Sequence, residues 1–118
     1  MTKETVEILY NPRCSKCRGA LALLQEKQNI QIHIREYLKD PLDEEEIRSL
    51  LELVEPLSLL RQKEDDFTPW RNEAESLTGE QVLEILLTHP HLLERPVVIR
   101  GNKGVIARPP ERLETLFT

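Results

Sequence analysis

The sequence predicts an α/β fold with a small mixed sheet, assembled from a βαβ unit, a helical insertion over approximately residues 40–88, a β-hairpin and a C-terminal helix. Three patterns carry that prediction. Two short runs rich in β-branched residues flank a stretch of helical spacing near the N-terminus. The middle of the chain is charged and mostly helical in spacing. Two further β-branched runs near the C-terminus are joined by a link bounded by glycines.

Local signals justify each element in turn. Thr5-Val6-Glu7-Ile8-Leu9-Tyr10 is short, apolar and β-branched, and it ends at Asn11-Pro12, a turn signal, so it reads as a buried strand. Ser15 to Gln28 has apolar residues at Ala20, Leu21, Leu23 and Leu24, which predicts a helix starting at or just after Cys14. Ile30, Ile32 and Ile34 alternate with Gln31, His33 and Arg35, so Ile30 to Tyr37 reads as a strand, parallel to the first through a right-handed crossover.

In the insertion, Asp40-Pro41-Leu42-Asp43-Glu44-Glu45-Glu46 places acids at a helix start, where the macrodipole favours them, and Ile47, Leu50, Leu51 and Val54 continue at helical spacing. A second short helix is expected after Pro56. Gln62 to Ser76 is charged with few apolar anchors, and Thr78-Gly79-Glu80-Gln81 then opens a helix through Leu87 with the spacing of a capping box. Pro96 to Arg100 and Val105 to Ala107, linked by Gly101-Asn102-Lys103-Gly104, predict the hairpin. Pro109-Pro110-Glu111 starts the closing helix, with Leu113, Leu116 and Phe117 to bury. Taken together this is the outline of a thioredoxin-like fold with a helical insertion.

At 118 residues the chain suits one domain with a hydrophobic core, and no repeat or linker divides it, so we read a single domain over residues 1–118. The longest apolar run, Ala20 to Leu24, is far too short to span a membrane. Met1-Thr2-Lys3-Glu4 leads into only a short apolar segment and lacks the pattern of a secretory signal, so a cytoplasmic location is expected. The net charge of -5 argues against a phosphate-tracking surface and direct nucleic-acid binding.

Both cysteines of the chain lie in Cys14-Ser15-Lys16-Cys17. In a reducing compartment a close pair is more often redox-active, catalytic or metal-binding than a permanent staple. Structural zinc needs four ligands, and His33, His89 and His91 do not supply the missing pair at the usual spacing, so no metal is expected. Two buried cysteines packing as small hydrophobes remain a competing reading. A reactive Cys14 is the sharper one. A thiol at a helix start gains from free N–H groups, the helix dipole and neighbouring cations, here Arg13, Lys16 and Arg18. Cys17, about one turn on, is placed to resolve an oxidised or substituted Cys14.

Asn11-Pro12-Arg13-Cys14, Leu60-Arg61-Gln62-Lys63-Glu64, His89-Pro90-x-Leu92-x-x-Arg95-Pro96-Val97 and Ala107-Arg108-Pro109-Pro110-Glu111 occur in this order. In this order and spacing they resemble the glutaredoxin-coupled arsenate reductase family over nearly the whole chain, and most of all its YfgD-like branch. The resemblance implies a thioredoxin-like fold with a helical insertion, Cys14 as the nucleophile, and Arg61, Arg95 and Arg108 as ligands of a small oxyanion, arsenate. It also implies glutathione and glutaredoxin as reductants and partners, with no bound cofactor; we expect a monomer. Guanidinium groups suit the task, because they bind tetrahedral oxyanions through paired, charge-assisted hydrogen bonds and favour thiolate over thiol. Pro96 is the candidate for the cis-proline that such folds carry ahead of the strand facing the active loop.

Two positions depart from the family pattern: Cys17 stands where Ser is usual, and Tyr10 where His commonly precedes Asn-Pro. The Cys-x-x-Cys spacing also resembles Spx-type redox-sensing regulators, which share the fold without reductase activity, so a Cys14–Cys17 disulfide switch is the alternative function. Phe67 and Trp70 are read as packing of the insertion in preference to a lid over the pocket. His33, His89 and His91 are given no catalytic role, with His89-Pro90 read as a helix-end feature.

Overall fold

A computed structural model describes residues 3–118; Met1 and Thr2, the start of the segment read as lacking a secretory signal, lie outside the described residues. The chain divides into two compact units, one formed by Met1–Asp40 with Arg95–Thr118 and the other by Pro41–Glu94.

The first unit is built on a four-stranded sheet in the order β2-β1-β3-β4, with β1 Glu4–Leu9, β2 Ile30–Arg35, β3 Val97–Arg100 and β4 Lys103–Ile106. β1 runs parallel to β2, with Glu4 opposite Ile30 and Leu9 opposite Arg35, and antiparallel to β3, with Val6 opposite Arg100 and Leu9 opposite Val97. The mixed sheet and the βαβ start are those of the thioredoxin-like outline. Helix α1, Ser15–Gln25, joins β1 to β2. Val6, Ile8, Ala20, Leu24, Val98, Ala107, Leu113 and Leu116 form one core cluster, so α1, the inner strands and the C-terminal segment bury a shared apolar surface.

The elements differ from the sequence expectation mainly at their ends. Helix α1 stops at Gln25, because the chain must reverse within a few residues to enter β2; Asn29 makes that reversal at φ 63°, a conformation asparagine tolerates. β2 ends at Arg35, whose Nε donates to the Asp40 carbonyl at 2.8 Å and closes the following turn. As an edge strand β2 leaves Ile34 44% exposed. The hairpin link is only Gly101-Asn102, because Lys103 and Gly104 already pair with Arg100 and Ile99; Gly101, at φ 59°, absorbs the positive φ. The closing helix, Pro110–Phe117, is a 3₁₀ helix, whose three-residue period stacks the buried Leu113 and Leu116 on one face. It lies close to α1, where a Cβ on Gly19 would meet Pro110 Cγ at 3.1 Å.

The second unit holds helix α2, Glu44–Leu53, helix α3, Gly79–Thr88, and 3₁₀ segments at Pro56–Leu59, Asp65–Ser76 and Pro90–Leu92. Helix α2 starts with a reciprocal capping box, in which the Glu46 N–H donates to Asp43 Oδ1 at 2.9 Å and the Asp43 N–H to Glu46 Oε1 at 3.0 Å. Asp65–Ser76 lies in the stretch read as charged with few apolar anchors, and it forms a 3₁₀ segment. Pro69 inside it removes a backbone donor that an α-helix would need, while Phe67 and Ala74 supply the buried anchors. Phe67 is fully buried, its ring 6.0 Å from Trp70, and Trp70 meets His89 edge-on at 5.3 Å, so this pair packs the insertion. His89 is the C-cap of α3.

Thr78 caps α3, accepting the Gln81 N–H at 3.2 Å, while Gln81 Oε1 accepts the Thr78 N–H at 2.8 Å. Thr78→Ala is expected to lower the folding free energy by about 1 kcal/mol, read as a lower urea midpoint at unchanged slope. An unchanged midpoint would show that the cap contributes nothing to the cooperative unit.

Candidate active site

The loop between β1 and α1 is shaped by its own backbone. Asn11 Oδ1 accepts the Arg13 N–H at 3.0 Å and its carbonyl accepts the Cys14 N–H at 3.0 Å, so the Asn11-Pro12 turn delivers Cys14 to the N-cap of α1. Arg18 reaches back from the helix and donates from Nη1 to the Pro12 carbonyl at 2.9 Å. It thus clamps the loop, a role that no local sequence pattern announced. Arg13 and Lys16 are exposed.

Cys14 is buried yet reachable, at 7% exposure, whereas Cys17, at the third helical position, is fully enclosed. Both are free thiols. The first turn of α1 has no acidic residue. Burial alone would push the Cys14 thiol up; the Cys17 N–H and S–H, the Arg95 charge and the Lys16 N–H outweigh it and hold the thiol below its ordinary value. The Cys14 sulfur makes no capping hydrogen bond of ordinary geometry, so these N–H groups act on it chiefly as aligned dipoles. Cys17 is opposite in character. Burial first, and then the neighbouring Cys14, push its thiol up to about 12.

The two shifts give opposite pH dependences. Cys14, with its value lowered, stabilises the fold fully above the ordinary thiol range; that contribution is lost as the pH falls through the lowered value. Cys17, with its value raised, stabilises the fold fully below the ordinary range and loses that contribution as the pH rises through about 12. Of the pair, Cys14 is therefore the thiol that ionises first as the pH rises.

Of the three expected arginines one, Arg108, contacts this thiol, and the charge of a second, Arg95, acts on it. Arg108 Nη1 lies 3.7 Å from Cys14 Sγ and donates to the Arg95 carbonyl at 3.1 Å. One guanidinium therefore ties Cys14 to the backbone just ahead of β3. The Arg95–Pro96 peptide bond is cis, and so is Arg108–Pro109. Arg61 belongs to the other compact unit, where its Nη1 donates to the His91 carbonyl at 3.2 Å and its Nη2 pairs with Glu64. Its backbone is fixed as well, by the Arg61 N–H to the Leu92 carbonyl at 2.8 Å.

The histidines are engaged elsewhere. His33 Nδ1 pairs with Glu7 at 2.8 Å across β1 and β2, His91 Nε2 with Asp66 at 2.6 Å, and His89 Nδ1 contacts Thr88 Oγ1 at 2.8 Å. Among the described residues no group of three or more His, Cys, Asp or Glu side chains is arranged to hold a metal ion, and no helix is long and apolar enough to cross a membrane. The arrangement at Cys14 combines an accessible, charge-stabilised sulfur with fixed guanidinium groups. Such a site suits nucleophilic attack on an anionic centre.

Comparisons with known proteins cover nearly the whole chain. The ArsC family matches residues 9–116. The uncharacterized protein YfgD of Escherichia coli (strain K12) is 39% identical over 116 residues, which cover 96% of each chain. An arsenate reductase of Neisseria meningitidis serogroup B is 34% identical over 115 residues, 95% of this chain and 97% of that one. The arsenate reductase from Vibrio cholerae superposes with a TM-score of 0.85 at 31% identity, over 97% of this chain and 98% of the other. With the family match spanning the loop of Cys14, the hairpin and the C-terminal segment alike, this chain belongs to the ArsC family.

Proposed function

We propose that the protein is a cytoplasmic, monomeric thiol oxidoreductase that reduces arsenate. Cys14 Sγ attacks arsenic(V), forming an S–As bond, and one arsenate oxygen takes up two protons and leaves as water. Arg95 and Arg108 hold the oxyanion and stabilise charge where it accumulates. Arg61 is the third ligand, assigned on the family motif alone. Two electrons then reach arsenic from two external thiols, glutathione and glutaredoxin, which leave joined as a mixed disulfide. Arsenite departs and Cys14 returns to its thiolate.

The observation that carries this reading is the Arg108 guanidinium 3.7 Å from the sulfur of a thiol already held below its ordinary value. A thiol used only for packing gains nothing from an adjacent cation. Reduction of a protein disulfide by a general thiol reductase needs no such cation either. Relatives named arsenate reductase over nearly the full chain support the choice of arsenate among oxyanions.

An NADPH-coupled assay with arsenate, glutathione, glutaredoxin and glutathione reductase tests the proposal. We expect NADPH consumption that depends on both arsenate and this protein. No turnover above the blank, in a mixture where a known reductase of the family is active, would refute it.

A further inference from the structure

We propose that the groove between the Cys14 loop and the turn after β2 is the seat of the external thiol, and that it takes a small zwitterionic peptide thiol, glutathione, by its charged ends. This rests on the reading of Cys14 as the thiol that reacts with arsenate. Residues 10–13 form one wall of the groove and Glu36, Leu38 and Lys39 the other, around a volume of about 330 Å³. Small-molecule sites commonly occupy roughly 300–1,000 Å³. Arg95 and Arg108, which hold the oxyanion, are not among the lining residues, so the groove is a second cavity on the same loop.

Backbone bonds build both walls. β1 and β2 are parallel neighbours and both end here, and the crevice beyond the C-terminal ends of parallel strands is where open α/β sheets commonly bind ligands. The Tyr10 N–H donates to the Arg35 carbonyl at 2.8 Å and holds the two exits together. On one side Asn11 Oδ1 accepts the Arg13 N–H at 3.0 Å; on the other the Lys39 and Asp40 N–H groups donate to the Glu36 carbonyl at 3.0 and 2.9 Å. A ligand therefore meets a preformed surface and does not have to order it. Cys14 follows Arg13 directly, its N–H bonded to the Asn11 carbonyl at 3.0 Å, so the groove lies along the loop that carries the reacting sulfur.

The lining selects among thiols. Arg13 and Lys39 are exposed cations and Glu36 is an anion. Lys39 Nζ stands 3.7 Å from Glu36 Oε1 with the lysine side chain 81% exposed, a loose surface pair that a charged ligand displaces at little cost. Glutathione carries two carboxylates and one ammonium, the inverse of that set. Leu38, 48% exposed, adds with Pro12 an apolar surface for the methylene groups of the peptide. A neutral thiol gains nothing from the charges, and an anionic thiol without an ammonium leaves Glu36 opposed. Bound on this loop, the glutathione sulfur bonds to arsenic of the Cys14 adduct while a hydroxyl on arsenic takes the thiol proton and leaves as water. When the glutaredoxin thiolate attacks that sulfur, the electron pair of the As–S bond stays on arsenic, and arsenic(V) becomes arsenic(III).

NMR titration of the isotopically labelled protein with S-methylglutathione, a thioether that cannot react, is the direct test. We expect saturable shifts at the amides of Arg13, Leu38 and Lys39, and binding about tenfold weaker for the diethyl ester, whose carboxylates are neutral, and for Lys39→Glu. In the coupled assay Lys39→Glu should raise KM for glutathione by about tenfold, with KM for arsenate at saturating glutathione within about twofold of wild type. Arg13→Glu should raise the same KM without moving the pH midpoint of Cys14 alkylation by iodoacetamide, read by intact mass. Equal binding of acid and ester, or shifts that map elsewhere, would overturn the proposal. So would a moved midpoint in Arg13→Glu together with an unchanged KM in Lys39→Glu, since the charge would then act on the thiol. A parallel titration with glutaredoxin completes the set: groove shifts with that protein and none with S-methylglutathione would make the groove a protein-docking face and reject glutathione as its occupant. The titrations need no arsenate, so binding of S-methylglutathione in the groove without arsenate turnover would sink the proposed function and leave this inference standing, and turnover without binding would do the reverse.

Discussion

Cys14→Ser is expected to abolish arsenate-dependent NADPH consumption, leaving the rate of the blank. The side chain is nearly isosteric and the position is 7% exposed, so the fold should persist. The chemistry should not. Free N–H groups and the Arg95 charge favour ionisation of a thiol whose ordinary value is near the operating pH. The same surroundings cannot ionise a hydroxyl, whose ordinary value lies many units higher. A neutral hydroxyl is also a far weaker nucleophile than a thiolate, so little adduct would form for the external thiols to reduce. The expected result is thus a folded, inactive protein by far-UV circular dichroism and the coupled assay. Turnover within tenfold of wild type would mean that another group attacks arsenate. The stability profile supplies a second check: the stabilisation that wild type gains as Cys14 ionises with rising pH should be missing in the variant.

Arg108→Ala is expected to lower kcat/KM for arsenate by about 10²- to 10³-fold, the usual cost of losing one fixed donor to a developing oxyanion. Two contacts disappear together, the 3.7 Å approach to Cys14 Sγ and the 3.1 Å bond to the Arg95 carbonyl. The first loss removes a cation from the thiolate, so the alkylation midpoint of Cys14 should also rise. The second frees the backbone that presents Arg95. Arg108→Lys separates charge from geometry. An ammonium restores the cation, but one compact charge does not reproduce a planar fork that spans a sulfur and a carbonyl, so only part of the activity should return. If Arg108→Lys equals wild type, charge alone is sufficient; if Arg108→Ala does, Arg108 is a surface cation with no part in the reaction.

Much of this was readable along the chain because it depends on neighbours in sequence. The turn at Asn11-Pro12, the helix starting beyond Cys14, the acidic start of α2 and the capping box at Thr78 all arise from groups two to four residues apart. Their physics is local, and so is the signal. The element ends were less legible. The stop of α1 at Gln25 and the two-residue hairpin are set by where the chain must turn to meet its strand partners, which no short window contains. Within the mostly helical insertion the Asp65–Ser76 segment carries no clear element signal of its own, because its two buried anchors, Phe67 and Ala74, are seven positions apart amid charge.

The sequence by itself determined the reactive loop, the strand and helix order, and, through the motif resemblance, the names of the arginines. Tertiary structure alone decided which of them reach the sulfur. Arg108 and Cys14 are 94 residues apart, and only the pairing of β1 with β3 and of β3 with β4 brings the ends of that separation within 3.7 Å. Tertiary structure also decided between the two thiols. Cys-x-x-Cys describes both sulfurs alike, whereas in the fold burial pushes the fully enclosed Cys17 thiol up and neighbouring groups hold the Cys14 thiol below its ordinary value. The physical reason is desolvation: ionisation depends on what surrounds a group in three dimensions, and spacing along a chain does not carry that information.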